Sequence, residues 1–155
     1  MTKVFNLAAL PVNPEEDAPD GHAFSAASIT REVGAKSSGV GVYVLPPGES
    51  AWPYHFELAD EEWAIVIEGK VTLRTPSGER VLRTGDVACF PAGADGAHAF
   101  RNDSDRPARY TMRSSGPLHV DAVVYPDSGK IKVSGRGFYR RFDLGEERDY
   151  WEGEP

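Results

Sequence analysis

Two short segments of the chain carry the residue types that could bind a metal ion or move a proton. The first contains His55, Glu57 and Glu62, and the second contains His98. Side chains two residues apart on a strand share a face, so His55 and Glu57 are expected to point to the same side. A carboxylate on an inward face is costly unless it is paired, hydrogen-bonded or bound to a cation. If Glu62 and His98 converge on the same point, two imidazoles and two carboxylates surround one centre, a set suited to a divalent first-row metal.

The elements that must position these residues are short strands. From residue 39 to about residue 115, apolar runs of four to eight residues alternate with breaks rich in glycine, proline, aspartate and asparagine. The chain contains 16 glycines and 12 prolines in 155 residues, a composition that favours turns and excludes a helical bundle. Such regular spacing predicts an antiparallel all-β sandwich or barrel with almost no helix.

The length of the chain predicts a single domain with three parts. Residues 1–38 form an N-terminal extension, in which the apolar residues 4–10 suggest an edge strand and the acidic, proline-rich stretch after them a surface loop. Residues 39–117 form the core of the barrel. Residues 118–155 add two further strands, near 118–125 and 131–133, and a charged tail.

Charge and composition narrow the classes of partner. The formal net charge of -7 argues against DNA, RNA and anionic membranes, because an acidic surface repels them. The chain has neither an apolar stretch of bilayer length nor a signal-peptide pattern, so we expect a cytoplasmic protein. The single cysteine, Cys89, cannot form an internal disulfide, and we expect it to be a small buried hydrophobe. One basic cluster is expected to be a solvated surface; it comprises Arg136, Arg140 and Arg141.

Both segments resemble the two sequence motifs of the cupin superfamily. The first cupin motif is Gly-x5-His-x-His-x(3,4)-Glu-x6-Gly, and here His55, Glu62 and Gly69 have the matching spacing. The second motif is Gly-x5-Pro-x-Gly-x2-His-x3-Asn, which this chain follows with two extra residues before the histidine. Its matching residues are Gly85, Pro91, Gly93, His98 and Asn102. The resemblance covers about residues 40–115 and implies a double-stranded β-helix, or jelly-roll, barrel.

The resemblance also implies a metal site, from which this chain departs at one position. Cupins usually bind their metal with three histidines and one glutamate, which correspond here to His55, position 57, Glu62 and His98. Position 57 is Glu57 instead of the second histidine. Phe100 shares the face of His98 if the strand is regular, so we expect it to line a substrate pocket.

The departure at Glu57 leaves three possibilities. If Glu57 coordinates, two carboxylates balance the charge of a divalent ion, which weakens it as a Lewis acid and favours manganese or iron over copper. If Glu57 turns away, His55, Glu62 and His98 form a two-histidine, one-carboxylate set, the ligand type of non-haem iron oxygenases. In the third case the site is degenerate, and the barrel binds a small molecule without metal.

These features predict a metal-dependent enzyme for a small, oxygen-rich substrate. A manganese, iron, nickel or zinc ion would act as Lewis acid and template, and a free Glu57 could serve as general base. Isomerisation, oxygenation and decarboxylation all suit this site, and the fold cannot choose among them. The alternative is a non-catalytic sensor or binding barrel with a degenerate metal site. Small cupins commonly pair, so the resemblance also implies a homodimer.

Overall fold

The computed structural model of the protein describes residues 2–115, 121–135 and 137–153. Within these ranges the regular secondary structure is nearly all β-strand, as the sequence predicts. The elements in chain order are β1 (Asn13–Pro14), β2 (Ser25–Ser28), α1 (Ile29–Val33), β3 (Gly39–Leu45), β4 (Phe56–Glu57), β5 (Glu62–Glu68), β6 (Lys70–Thr75), β7 (Gly78–Arg83), β8 (Val87–Phe90), β9 (Ala99–Arg101), β10 (Ala108–Ser114), β11 (Asp121–Tyr125), β12 (Lys130–Gly135) and β13 (Phe138–Asp143). A single 3₁₀ turn, Ala94–Gly96, lies between β8 and β9.

The strands form three antiparallel sheets. The largest has six strands in the order β1-β2-β3-β10-β5-β8, the second has the order β13-β12-β11-β4, and the third has the order β7-β6-β9. The second sheet joins the C-terminal strands to β4, the short strand that carries Glu57. No helix among the described residues is long and apolar enough to span a lipid bilayer.

Alternating side chains give the six-stranded sheet one buried face. On β5, Ala64 and Val66 are buried, whereas Trp63 and Ile65, which alternate with them, are 37% and 42% exposed. This period of two is the pattern of a strand with one face on the core. Each large apolar side chain buried in this way contributes roughly 1.5–3 kcal/mol to stability. The core contains Phe24, Leu45, Ala64, Val66, Val71, Leu73, Leu82, Phe90, Phe100 and Tyr110.

Gly69 shows why the first motif ends in glycine. It lies between β5 and β6 with a φ of +78°, a left-handed conformation that other residues adopt at a cost. A Cβ atom at this position would lie 2.9 Å from the carbonyl oxygen of Pro107. Glycine is therefore needed both for the turn and for the close approach of the loop before β10.

The ends of the chain differ from the sequence-based expectations. The edge strand expected over residues 4–10 is wrong: no strand forms there, and Val4 is 89% exposed. Instead, β2 is built from small residues and pairs with β3, with the two-residue β1 outside it. The expected strand near 118–125 corresponds to β11, although residues 116–120 lie outside the described ranges. The one near 131–133 corresponds to β12.

The expectation that Cys89 is buried is also wrong. Its side chain is exposed and makes no disulfide. Strand β8 pairs with β5 so that Cys89 lies opposite the half-exposed Trp63 on the outer face, while its neighbour Phe90 points into the core. The alternation along β8 therefore decides the exposure of the thiol, and the cysteine's own hydrophobicity does not.

Candidate metal centre

His55 and His98 are held opposite each other by their own backbones. The amide of His55 donates to the carbonyl of His98 at 3.1 Å, and the amide of His98 donates to the carbonyl of His55 at 2.9 Å. Residues paired in this antiparallel way present their side chains on the same face. The ring centroids are accordingly 4.8 Å apart, and both side chains are buried.

Each imidazole is oriented by a backbone carbonyl two residues before it. Nδ1 of His55 lies 2.7 Å from the oxygen of Pro53, and Nδ1 of His98 lies 2.9 Å from the oxygen of Gly96. A carbonyl oxygen can only accept, so each Nδ1 carries the hydrogen and donates. In the neutral rings, each Nε2 therefore keeps a free lone pair, the arrangement typical of histidine ligands to metals.

The loop that carries His98 is tightly fixed by Gly96. A Cβ atom on Gly96 would lie almost on the carbonyl oxygen of Pro91, at 1.8 Å. The 3₁₀ turn can therefore fold back onto the proline only if residue 96 is glycine. The ring of His98 also stacks on Phe90, with centroids 3.8 Å apart and planes inclined by 14°.

Glu62, the first residue of β5, completes a group of three. Its Oε2 lies 3.5 Å from Nε2 of His98 and 4.0 Å from Nε2 of His55. The three potential ligand atoms lie within 4.8 Å of one another. The Oε2 atom is buried and has no hydrogen-bond partner among the described residues.

Glu57 lies beside this group but outside it. Its Oε1 is 4.0 Å from Nε2 of His55, and its carboxyl group is hydrogen-bonded to Asp121 on β11. Asp121 in turn accepts a hydrogen bond from the amide of Ala59 at 3.0 Å. The structure thus brings together His55, Glu62 and His98, and places Glu57 in a neighbouring carboxyl pair.

These residues open into a cavity of about 390 Å³. Phe100, expected from the sequence to line a pocket, is 3% exposed and forms part of the cavity wall. A second part of the lining comes from the C-terminal strands. It contains Tyr125, Lys130, Lys132, Tyr139 and Arg141.

The comparisons with known proteins agree with the sequence motifs. A family model described as "Cupin domain" matches residues 41–113. Residues 41–113 of the chain therefore form a cupin domain. A search of curated proteins finds no match to this chain.

Solved structures share the fold over most of this cupin. A candidate sugar phosphate isomerase from Acidithiobacillus ferrooxidans has a TM-score of 0.81 and 24% identity, with 92% of this chain and 90% of the other covered. A sugar phosphate isomerase from Silicibacter pomeroyi has a TM-score of 0.79 and 23% identity, with 91% and 92% covered. The polyketide cyclase RemF from Streptomyces resistomycificus has a TM-score of 0.61 and 20% identity, with 74% and 79% covered. These likenesses support the double-stranded β-helix fold.

The residues of this cupin's group of three fit a divalent cation. Metal–ligand bonds of ~2.1 Å place neighbouring ligand atoms ~3–4 Å apart, close to the separations from Glu62 to the two histidines. The two Nε2 atoms and the Oε2 atom are all acceptors, and the buried Oε2 finds no donor among the described residues. A cation would satisfy all three at once, and one carboxylate with two imidazoles suits manganese, iron, nickel or zinc.

Burial keeps both histidines in the form that binds metal. Burial lowers the pKa of His98 to about 4, and the neighbouring His55 acts in the same direction. Burial also lowers the pKa of His55, although its hydrogen bond to Pro53 opposes the shift. Both imidazoles are therefore neutral at pH 7 and need not lose a proton before binding a cation.

The two carboxyl groups of the cavity have the opposite shift. Burial raises the pKa of Glu62 to about 7, and the charge of Asp60 adds to the effect. Burial raises the pKa of Glu57 to about 9, helped by its hydrogen bond to Asp121 and the charge of Glu62. Because burial disfavours the ionised form of these two side chains, a nearby cation would lower both pKa values. The metal-free cavity therefore favours cation binding.

Sequence reasoning missed two features of the cavity. One is Asp121, the carboxyl partner of Glu57, and the other is the cationic wall formed by Lys130, Lys132 and Arg141. Asp121, Lys130, Lys132 and Arg141 all lie beyond the cupin motifs, in a region read as strands and a charged tail. Arg141, expected on a solvated surface with Arg140, lines the mouth of the cavity, and Arg136 of the same cluster lies outside the described residues. The sequence did contain a signal for this wall. Lys130 and Lys132 are two residues apart, so on a strand both side chains lie on the same face.

Proposed function

We propose that this cupin is a metal-dependent enzyme that acts on a small, oxygen-rich substrate, with a divalent cation bound by His55, Glu62 and His98. The observation that carries the proposal is the buried Oε2 of Glu62. It lies between two Nε2 atoms whose rings are fixed by backbone carbonyls, with no hydrogen-bond donor from the described residues. Such a cluster of acceptors is stable only when a cation, protons or water complete it.

In this proposal, some residues of the cavity bind the cation and the substrate, and another transfers a proton. A bound cation would supply Lewis-acid polarisation of a carbonyl, hydroxyl or carboxylate group. The cavity wall, including Phe100, would exclude water from one side of the substrate. Glu57 faces the same cavity without belonging to the three-residue group, so its carboxyl group is available to exchange a proton with the substrate.

The pair of Glu57 and Asp121 favours proton-transfer chemistry. Two hydrogen-bonded carboxyl groups share a proton, and the raised pKa of Glu57 keeps that proton bound near neutral pH. The charge of Lys132 already limits this rise, and a bound cation would lower the pKa further, towards the operating pH at which a general acid–base works best. Isomerisation, or decarboxylation followed by protonation, uses such a group directly. Oxygenation has less need of it.

A second candidate function is a metal-free binding barrel. It is favoured by one observation, namely that Glu57 replaces the histidine usual in cupins and hydrogen-bonds to Asp121 outside the group of three. In this case the carboxyl groups would remain protonated and bind a ligand by hydrogen bonds. The structural neighbours differ in their described activities, so the fold itself does not separate the two candidates.

The deciding experiment is elemental analysis of the purified, untagged protein with two histidine variants. We expect a near-stoichiometric divalent metal in the parent protein and its loss in His98→Ala. His22→Ala is the matched control, because His22 also contacts a backbone carbonyl, that of Ala51, but lies away from the group of three. It should retain the metal.

Thermal melting separates metal loss from misfolding. Each variant should unfold cooperatively, and added metal should stabilise the parent and His22→Ala but not His98→Ala. If the parent contains no metal and no added metal stabilises it, the enzyme proposal fails and the binding barrel replaces it.

We also propose that the protein forms a homodimer. Strand β13 is an edge strand, and its exposed aromatic residues Phe138 and Phe142 are 48% exposed each. Edge strands and apolar patches of this kind are commonly covered by a second chain. Light scattering coupled to size-exclusion chromatography should give twice the mass of the 16.9 kDa chain. A monomer mass at micromolar concentration would contradict it.

A further inference from the structure

One row of side chains runs from the candidate metal centre to the far wall of the cavity. Glu57 pairs with Val123, Val123 pairs with Lys132, and Lys132 pairs with Arg141 across four neighbouring strands. Residues paired in register point to the same face of a sheet. Since strands lie ~4.8 Å apart, the backbones of Lys132 and Arg141 lie roughly 10 and 14 Å from that of Glu57.

The neighbouring rows add a third cation and two phenol groups to this face. Lys130 pairs with Tyr125, and Tyr139 lies two residues before Arg141 on β13. The guanidinium group of Arg141 donates to the hydroxyl oxygen of Tyr139 at 2.6 Å. All of these side chains line the same cavity as the group of three.

The three cations have no ion-pair partner in the described parts of the chain. None of the carboxylates there lies within 4.0 Å of Lys130, Lys132 or Arg141. The hydrogen bond to Tyr139 leaves most of the guanidinium N–H donors of Arg141 without a protein acceptor. Unpaired donors that face a cavity are available to a ligand.

Charge balance within the protein does not explain this wall. The charge of Lys132 lowers the pKa of Glu57 and Glu62, so it compensates part of their charge at a distance. A divalent cation at the group of three would supply that compensation directly, and the cavity would then hold a clear excess of positive charge. The chain as a whole has a net charge of -7, so a positive cavity would contrast with the acidic protein around it. A localised positive cavity selects small anions.

We infer that the hairpin β12–β13 is an anion-binding subsite, in which Lys132, Arg141 and Lys130 hold a phosphate or carboxylate group at the end of the substrate remote from the metal centre. The inference rests on the proposed function, since it treats the group of three and the hairpin as two ends of one substrate site. It narrows the substrate to a small molecule with metal-binding oxygens at one end and an anionic group at the other. Arginine and lysine are the side chains that most often hold such groups.

The position of the hairpin gives it a separate role from the cupin core. The family match ends at residue 113, whereas β12 begins at Lys130. The group of three lies within the matched residues, and the cationic wall lies wholly outside them. The core therefore supplies the metal centre common to the family, and the hairpin supplies the preference for an anionic substrate.

The test measures binding of inorganic phosphate and of succinate to the full-length protein by isothermal titration calorimetry, after the metal has been removed with EDTA and the chelator, itself an anion, has been dialysed away. Chelation removes binding through a metal, so the outcome does not depend on the proposed metal centre. Arg141→Gln and Lys132→Gln are the test variants. Arg140→Gln is the matched control, because it loses the same charge on the same strand but points to the opposite face and donates to the carbonyl of Tyr139.

We expect phosphate, succinate or both to bind the parent protein and Arg140→Gln equally well. Each test variant should weaken that binding about tenfold or more, the usual cost of a lost charge-assisted hydrogen bond. Preference for phosphate identifies a phosphate subsite, and preference for succinate a carboxylate subsite. The inference is overturned if neither anion binds, or if Arg140→Gln weakens binding as much as the test variants do. Melting curves confirm that each variant is folded.

Discussion

The two walls of the cavity hold their charged groups in opposite ways. On the metal-centre side, His55 and His98 are 8% and 2% exposed, and each ring is fixed by a backbone carbonyl. On the hairpin side, Lys130 and Arg141 are exposed and make few contacts with the protein. Ligands that must meet a cation within a few tenths of an ångström need rigid support, whereas a wall that attracts an anion can keep flexible side chains. The strands that carry the histidines therefore fix the geometry of the candidate metal centre, and the hairpin strands carry the side chains that would select the substrate.

The largest effect is expected from Glu62→Gln. The amide keeps the shape of the side chain but removes the only carboxylate of the group of three, so metal affinity should fall at least ~100-fold, more than for a residue that merely supports a ligand. Competition with a chromophoric chelator measures this. Glu57→Gln is the control and should bind metal with affinity close to that of the parent protein. An equal loss in both variants would make Glu57 a ligand and end the distinction between them.

Because the backbone around His98 is tightly packed, two glycine substitutions are expected to lower the free energy of unfolding by different amounts. In Gly96→Ala the new methyl group collides with the backbone of Pro91, so the protein should lose roughly 2–3 kcal/mol of unfolding free energy, and metal affinity should fall as His98 moves. In Gly137→Ala, at the turn of the hairpin, nothing lies within 4 Å and only the positive φ costs roughly 1–2 kcal/mol. Urea denaturation measures both. Equal losses would show that the two walls are equally rigid.

The buried carboxyl groups predict an unusual pH dependence for the metal-free protein. In the folded state, Glu62 and Glu57 lose their protons near pH 7 and 9, because burial raises each pKa from 4.5. The folded state therefore binds more protons than the unfolded chain above pH 4.5, and the stability that this gives is lost as pH rises to about 7 for Glu62 and to about 9 for Glu57. His98 has the opposite shift and adds stability as pH rises from about 4 to 6.5, so above pH 6.5 only the carboxyl groups contribute. The melting temperature with EDTA should therefore fall between pH 6.5 and 9.

Two additions to the melting experiment check its cause. Glu57→Gln should flatten the upper part of the decline, since it removes the group that titrates last. Saturating metal should abolish most of the decline, because a bound cation favours both carboxylates. A melting temperature that is constant from pH 7 to 9 without metal would mean that these carboxyl groups are not buried as described.

The smallest effect concerns salt. Exposed charges are screened by ions, whereas buried ones are screened much less. Raising the ionic strength from ~0.05 to ~0.5 M should weaken phosphate binding at the hairpin severalfold, while metal affinity at the group of three changes less. Calorimetric titrations at the two salt concentrations make the comparison. If salt weakened phosphate binding and metal binding equally, the two sites would be equally exposed to solvent.

The pattern of short strands and turns predicts the all-β fold, and the resemblance to the cupin motifs implies that His55, Glu62 and His98 meet. The sequence does not predict the contact between Glu57 and Asp121, which depends on the register of two strands separated by more than 60 residues. The hairpin wall was missed for the same reason. The expected edge strand over residues 4–10 failed because local apolarity does not say whether a partner strand exists. Cys89 shows that the face on which a residue lies can override its own preference for burial.

The reciprocal hydrogen bonds between His55 and His98 have a dynamic consequence. The same two amides that close the backbone at this point also set the distance between the two Nε2 atoms that are proposed to bind the metal. A local opening that breaks these bonds would separate the rings, so release of a bound ion and exchange of these amide hydrogens with solvent become a single event. The lifetime of the ion in the barrel would then be set by how often this part of the backbone opens, and slow hydrogen exchange at two residues would report it.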